Sequence, residues 1–313
     1  MATSQWPVGN DFVAVAVDSE VLIWGGTQED RGEFQHLPRN LIYFYAPSSN
    51  TWRRISATGD IPMHPIHSAS VIYDALLYIF GGARRDKSFE TTNDVFTLNM
   101  TTGVFKLLTI SGIRPSPRHS LEGWSHQNKL YFFGGYDWNQ RGDNQFVPPS
   151  KTSETDNLLF SFSPDSNSFS AIETSGPRPG PRSTYGMARI DDSIFISSGY
   201  KSYDDMFELD MMKFSWKQHK GSGFSIYDHS LTRISKNRLL LIGGKTSNKV
   251  WVFDASNFSW NETSPLPKDI YGEYLRSHRA VALRQGTGLS IICFGGVTSA
   301  RKEPSQMLVF DIE

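Results

Sequence analysis

Short apolar runs punctuate the chain, and six of them end on a pair of small residues. They are VLIWGG (21–26), LLYIFGG (76–82), KLYFFGG (129–135), SIFISSG (193–199), RLLLIGG (238–244) and LSIICFGG (289–296). Each run is strand-sized, and helical periodicity of useful length is absent. The first member of each pair falls at 25, 81, 134, 198, 243 and 295, in steps of 56, 53, 64, 45 and 52. A recurrence of about fifty residues marks a structural repeat.

Three further strand signals accompany each pair. Before it lies FVAVAV (12–17), HSASVIY (67–73), HSLEGWS (119–125), STYGMARI (183–190), HSLTRI (229–234) or HRAVALR (278–284). After it comes LIYFYA (41–46), DVFTLN (94–99), NLLFSF (157–162), DMFELD (205–210), KVWVFD (249–254) or QMLVFDI (306–312). An aromatic then opens a fourth strand: Trp52, Phe105, Phe169, Trp216 or Trp260. The pattern predicts an all-β, six-bladed β-propeller with four antiparallel strands per blade. One domain spans 1–313, with blades at about 9–58, 59–112, 113–176, 177–221, 222–265 and 266–313. The sixth unit lacks a fourth strand, and Trp6 fits its aromatic position. Residues 3–7 are therefore predicted to pair with strand 306–312, so that an N-terminal strand closes the ring and removes an exposed sheet edge. The glycine pairs suit a tight turn that needs positive φ or close approach. Ser198, which replaces the first glycine in blade 4, is expected to have an ordinary φ.

The glycine pairs and the later aromatics resemble the kelch-repeat family, over nearly the whole chain. Blade 1 (VLIWGG, LPRNLIYFY, NTWRRISATGDIP) and blade 3 (EGWSHQNKLYFFGGY) are similar to the kelch-domain substrate receptors of cullin-RING ubiquitin ligases that read C-terminal degrons. That resemblance implies a ubiquitin ligase substrate adaptor whose propeller mouth binds a terminal carboxylate, with ligase components not encoded in this chain. It also implies two arginines in the loop after the blade-4 pair and a serine before blade 5. This chain has Tyr200-Lys201-Ser202-Tyr203-Asp204-Asp205 in the loop and Tyr227 at the serine position, so the carboxylate-binding arginines are missing.

Composition narrows the reading. Aromatic residues make up 13%, and the charges nearly cancel at net −1. No global field steers the protein to nucleic acid or to an anionic membrane. The longest apolar runs fall far short of the about 20 residues of a membrane helix. Cys293 is the single cysteine, so no internal disulfide forms. With no secretory signal in the opening residues, a cytoplasmic or nuclear location is expected.

In an antiparallel blade the links from strand two to three, and from blade to blade, share one face. Those links are the long ones, and binding residues concentrate in long loops on a rigid scaffold. The long-loop face carries the candidate partner-binding residues Arg84, Arg118, Tyr136, Trp138, Arg182, Tyr200, Lys201, Tyr203, Tyr227, Lys245, Tyr274 and Arg276. Aromatic and arginine side chains are favoured interface anchors, and the expected partner is a protein or peptide, including a C-terminal tail.

Catalytic signals are weak, and a protein-interaction module rather than an enzyme is expected. His67, His119, His229 and His278 open the first strand of a blade and read as one repeated structural position. No zinc spacing or nucleophile elbow occurs, and no catalytic residue, metal site or cofactor is expected. A metal-dependent or small-molecule enzyme using the propeller channel stays open as the alternative.

Overall fold

Antiparallel hairpins account for the recurring apolar runs. The computed structural model describes residues 9–30, 33–85, 89–136, 157–200, 204–223, 225–245, 247–285, 288–300 and 307–312. Blade 1 comprises strands Val13–Val17, Glu20–Trp24, Leu41–Ala46 and Thr51–Ser56, paired in that order. Blades 2 to 5 repeat this order, and blade 6 has Arg279–Gln285, Gly288–Phe294 and Leu308–Ile312. The six-bladed propeller of the sequence pattern is thus the fold. The fourth strand predicted for blade 6, with Trp6, lies outside the described residues.

The second strand of each blade is buried on both faces, which explains its uninterrupted apolar sequence. In LLYIF, Leu77 and Ile79 join a core shared with blade 1, while Tyr78 and Phe80 join one shared with blade 3. The period of two splits one strand between two cores. Six such clusters fill the six spaces between neighbouring blades. The cluster of Phe12, Val21 and Ile23 with Val281, Ile292 and Phe294 joins blade 1 to blade 6.

Hydrogen bonds close the same circle. The second residue of each glycine pair donates its N–H to the blade ahead: Gly26 to Pro65 O, Gly82 to Arg118 O, Gly135 to Arg182 O, Gly199 to Ile226 O, and Gly244 to Leu275 O. Gly296 completes the series by donating to Gly9 O at 3.0 Å. This approach is why the first position favours glycine. A Cβ on Gly25 would come 2.7 Å from Pro65 O, closer than real Cβ contacts allow. Ser198 corrects the expectation of ordinary geometry, because its φ is 50°. It adopts the left-handed turn of the glycines because the blade-4 turn has the same shape.

The links between blades hold a second repeat. Thr58–Gly59 and Ser111–Gly112 run parallel to the outer strands of blades 2 and 3, and Ser175 bridges Ser215 likewise in blade 4. Each link so latches the outer strand of the following blade. The link into blade 6 contains a single helical turn, Lys268–Tyr271. Its Tyr271 is buried against Cys293 in the core between blades 5 and 6.

Candidate functional site

The innermost backbone of the propeller turns at one residue per blade, at the start of the first strand. These residues are Asp11, His67, Ser120, Thr184, Asp228 and Ser277, with φ of 61°, 52°, 57°, 49°, 57° and 56°. A left-handed non-glycine residue costs about 1–2 kcal/mol, so six in register require a shared cause. The cause is a closed belt of backbone hydrogen bonds. Each N–H donates to the carbonyl of the previous blade's turn: His67 to Asp11, Ser120 to His67, Thr184 to Ser120, Asp228 to Thr184, Ser277 to Asp228, and Asp11 to Ser277. The N···O distances run from 2.8 to 3.3 Å.

All six belt side chains are polar, and all line a cavity at the mouth of the central channel. The start of the first strand lies on the long-loop face, so the cavity opens there. Its empty volume is about 380 Å³ including the opening, of which about 30 Å³ admits the centre of a water molecule. Arg279 of blade 6 reaches across to Glu122 of blade 3, with Nη1 donating to Oε1 at 2.9 Å. These are opposite blades of a ring of six. The ion pair therefore ties opposite walls of the channel together. Arg279 Nε also donates to Phe12 O at 3.2 Å.

Charge in this cup is unevenly compensated. His67 Nε2 lies 2.8 Å from Asp11 Oδ1. Burial opposes ionisation of both groups. Their mutual attraction nevertheless holds the Asp11 carboxyl below, and the His67 imidazole above, their ordinary values. Asp228 differs. Burial raises its carboxyl, with Asp11 adding, against the lowering effects of His67, Arg276 and Lys245. Burial also pushes His119, His229 and His278 down to about 3, so they are neutral.

The histidines correct the sequence reading of one repeated position. His67 is itself a belt residue, His119 precedes one, and His229 and His278 each follow one. Only the last two are equivalent. Their Nε2 atoms meet Ser197 Oγ and Ser230 Oγ at 2.8 and 2.9 Å.

Two predicted partner-binding arginines are instead structural. Arg118 and Arg182 are 2% and 3% exposed. Each sends Nη1 to the carbonyl of the first residue of its blade's pair, Gly134 or Ser198, at 2.9 and 3.0 Å. Arg182 also grips Asp205 in bidentate fashion at 2.7 and 2.9 Å. Tyr136 is likewise buried, edge-on to His119. Arg84 pairs with Glu90 of its own hairpin at 2.9 Å, and Tyr274 is half-buried. Trp138, Lys201 and Tyr203 lie outside the described residues.

The remaining predicted residues converge on one arc of the rim. Tyr200 and Tyr227 meet edge to face at 5.2 Å, Lys245 Nζ lies 5.3 Å from the Tyr227 ring, and Arg276 Nη1 lies 3.6 Å from Asp228 Oδ2. The cup residues that escaped the sequence pattern are Asp11, Glu122, Asp228 and Arg279. For two of them a fixed offset was the signal: Asp11 and Asp228 stand two residues after the carbonyls that accept from the glycine pairs. Among the described residues, no group of three or more His, Cys, Asp or Glu side chains is placed to hold a metal ion.

Comparisons with known proteins agree with this architecture. The family model described as the KLHDC2/KLHL20/DRC7 Kelch-repeats domain matches residues 11–244. "Kelch domain-containing protein 2" of Bos taurus is 28% identical over 96% of this chain and 80% of its own length. "Kelch domain-containing protein 1" of Homo sapiens is 23% identical over 82% of this chain and 68% of its own. A solved structure described as "Structure of YjhT" superposes with a TM-score of 0.71 at 16% identity, covering 98% of both chains. At that identity the likeness concerns the fold alone.

Proposed function

The chain belongs to the kelch-repeat propeller family, and from that premise we propose that it binds a peptide segment of a partner protein at the channel mouth on its long-loop face. Kelch propellers are protein-interaction modules. The observation that carries the finer reading is the polar cup with its one-sided rim of Tyr200, Tyr227, Lys245 and Arg276. Two tyrosines supply flat apolar area with polar tips, and two long cations supply charge at the edge of a concave site. The resemblance of blades 1 and 3 to ligase substrate receptors extends this proposal to substrate recognition for a ubiquitin ligase.

The test is affinity capture with the wild type and a Tyr227→Ala, Lys245→Ala, Arg276→Ala triple variant. The triple variant is expected to lose the specific partners, because it strips the rim while leaving the belt carbonyls and N–H groups in place. An unchanged partner list would place the interface elsewhere. Cullin-RING components among the wild-type partners would support the ligase role.

A further inference from the structure

The cup contains three carboxylates, and two of them have a cation at hydrogen-bond distance. Asp11 has His67 at 2.8 Å, and Glu122 has Arg279 at 2.9 Å. The third, Asp228, accepts from Ser277 N–H only at its backbone carbonyl; its carboxylate receives no hydrogen bond among the described residues, and its side chain is 10% exposed. Arg276 approaches no nearer than 3.6 Å, beyond hydrogen-bond reach. Neighbouring groups repeat the shortfall: Thr184 Oγ1, next in the belt, is buried without a partner. His229 and His278, more than nine-tenths buried in the cavity wall, each leave Nδ1 unbonded. A buried carboxylate without donors is unfavourable until something supplies them.

We infer that the cup is a cation receptor in which Asp228 takes a primary ammonium, carried by a lysine side chain or by the N-terminus of a partner peptide. The room suits a small head group. Room of about 30 Å³ for water-sized centres corresponds to roughly two waters, which suits a tetrahedral head on a thin stem. A terminal carboxylate entering there would meet the Asp228 carboxylate, which lacks a hydrogen-bonded donor, whereas Asp11 and Glu122 are already paired. Arg276 stands 3.6 Å from Asp228 Oδ2, which leaves the carboxylate open to a closer donor from a ligand. This inference rests on the long-loop face being the binding face.

The probes are four small peptides offered to the whole protein at pH 7 and read by calorimetry: acetyl-lysine methylamide, glycylglycine methylamide, acetylglycylglycine, and the neutral acetylglycylglycine methylamide. The first two carry the ammonium on a side chain and on an N-terminus, and the tighter one identifies its source. At least one should bind about tenfold or more tighter than the carboxylate and neutral probes, the factor expected of a charge-assisted hydrogen bond. Asp228→Asn and Asp228→Gly both tolerate the left-handed backbone, and both should lose that preference. Asp228→Asn should also melt no lower than the wild type, since it removes a charge that burial disfavours. Equal or tighter binding of acetylglycylglycine overturns the inference, as does an ammonium preference that survives in both variants. If the rim variant loses partners while Asp228→Asn keeps them, the inference falls and the proposed face stands.

Discussion

At the scale of single residues, the belt histidines set how the protein responds to acid. His119, His229 and His278 sit near 3 in the folded state because burial excludes their charge, whereas in an unfolded chain they titrate near 6.5. A depressed histidine means that the unfolded chain binds the proton first. Stability therefore falls as pH drops below about 6.5, by about 1.4 kcal/mol per pH unit for each such histidine. His67 has the opposite sign. Its value is raised by Asp11, so its contribution is complete below the unfolded value and fades as pH rises through the folded one. Three against one makes acid the weaker side. Urea unfolding at pH 7, 6 and 5 should show a steep loss, and His229→Gln should reduce the slope by about a third. A flat profile would mean that these rings are charged in the fold.

The same scale shows what could be read from sequence and what could not. The repeated segments ending Pro117-Arg118 and Pro181-Arg182 stood in plain view. Their recurrence at one blade position was itself the mark of a structural role, since both guanidiniums bond the turn of the glycine pair. Asp205 was invisible as the counterion of Arg182 because it lies 23 residues away. Asp228 and Asp11 were hidden for another reason. A carboxylate before a strand is unremarkable in sequence, and only ring closure sets the two beside His67 and Ser277.

At the scale of elements, the second strands were fully legible, because burial on both faces leaves an unbroken apolar run. The latches between blades were less so. Thr58-Gly59, Ser111-Gly112 and Ser175-Gly176 read as loop punctuation, yet each glycine crosses the outer strand of the next blade with φ of 76°, 81° and 77°. A Cβ there would strike the carbonyl of Phe105, Phe169 or Trp216, the very aromatics that open the fourth strands. Gly223 provides the control, since its φ is 90° and nothing lies within 4 Å of an added Cβ. Gly223→Ala should cost about 1–2 kcal/mol from backbone conformation alone. Gly176→Ala should cost a further 1–3 kcal/mol or so for overpacking. Equal losses in denaturant titrations would mean that the latch yields freely and does not hold the outer strand.

At the scale of the whole molecule, a propeller must join its last blade to its first, and three layers of contact bear on how this one does so. The belt is closed by Asp11 and Ser277, the glycine-pair bonds by Gly9 and Gly296, and the apolar cores by Phe12 and Phe294. All three lie at the inner and middle radius. At the outer radius, Leu308–Ile312 pairs with Gly288–Phe294 and with no other strand among the described residues, and Val309 is 47% exposed. An open strand edge beside an exposed apolar residue is a site for pairing, and the segment with the matching aromatic in sequence is 3–7. Deleting residues 1–8 leaves Gly9 and every inner contact in place, so it isolates the outer layer. The deletion should lower the melting temperature without abolishing folding, because the two inner layers and six cores persist. It should also leave ammonium binding at Asp228 intact, since the cup hangs on the belt. A melting temperature equal to the wild type would show that the belt, the glycine-pair bonds and the cores close the ring without residues 1–8.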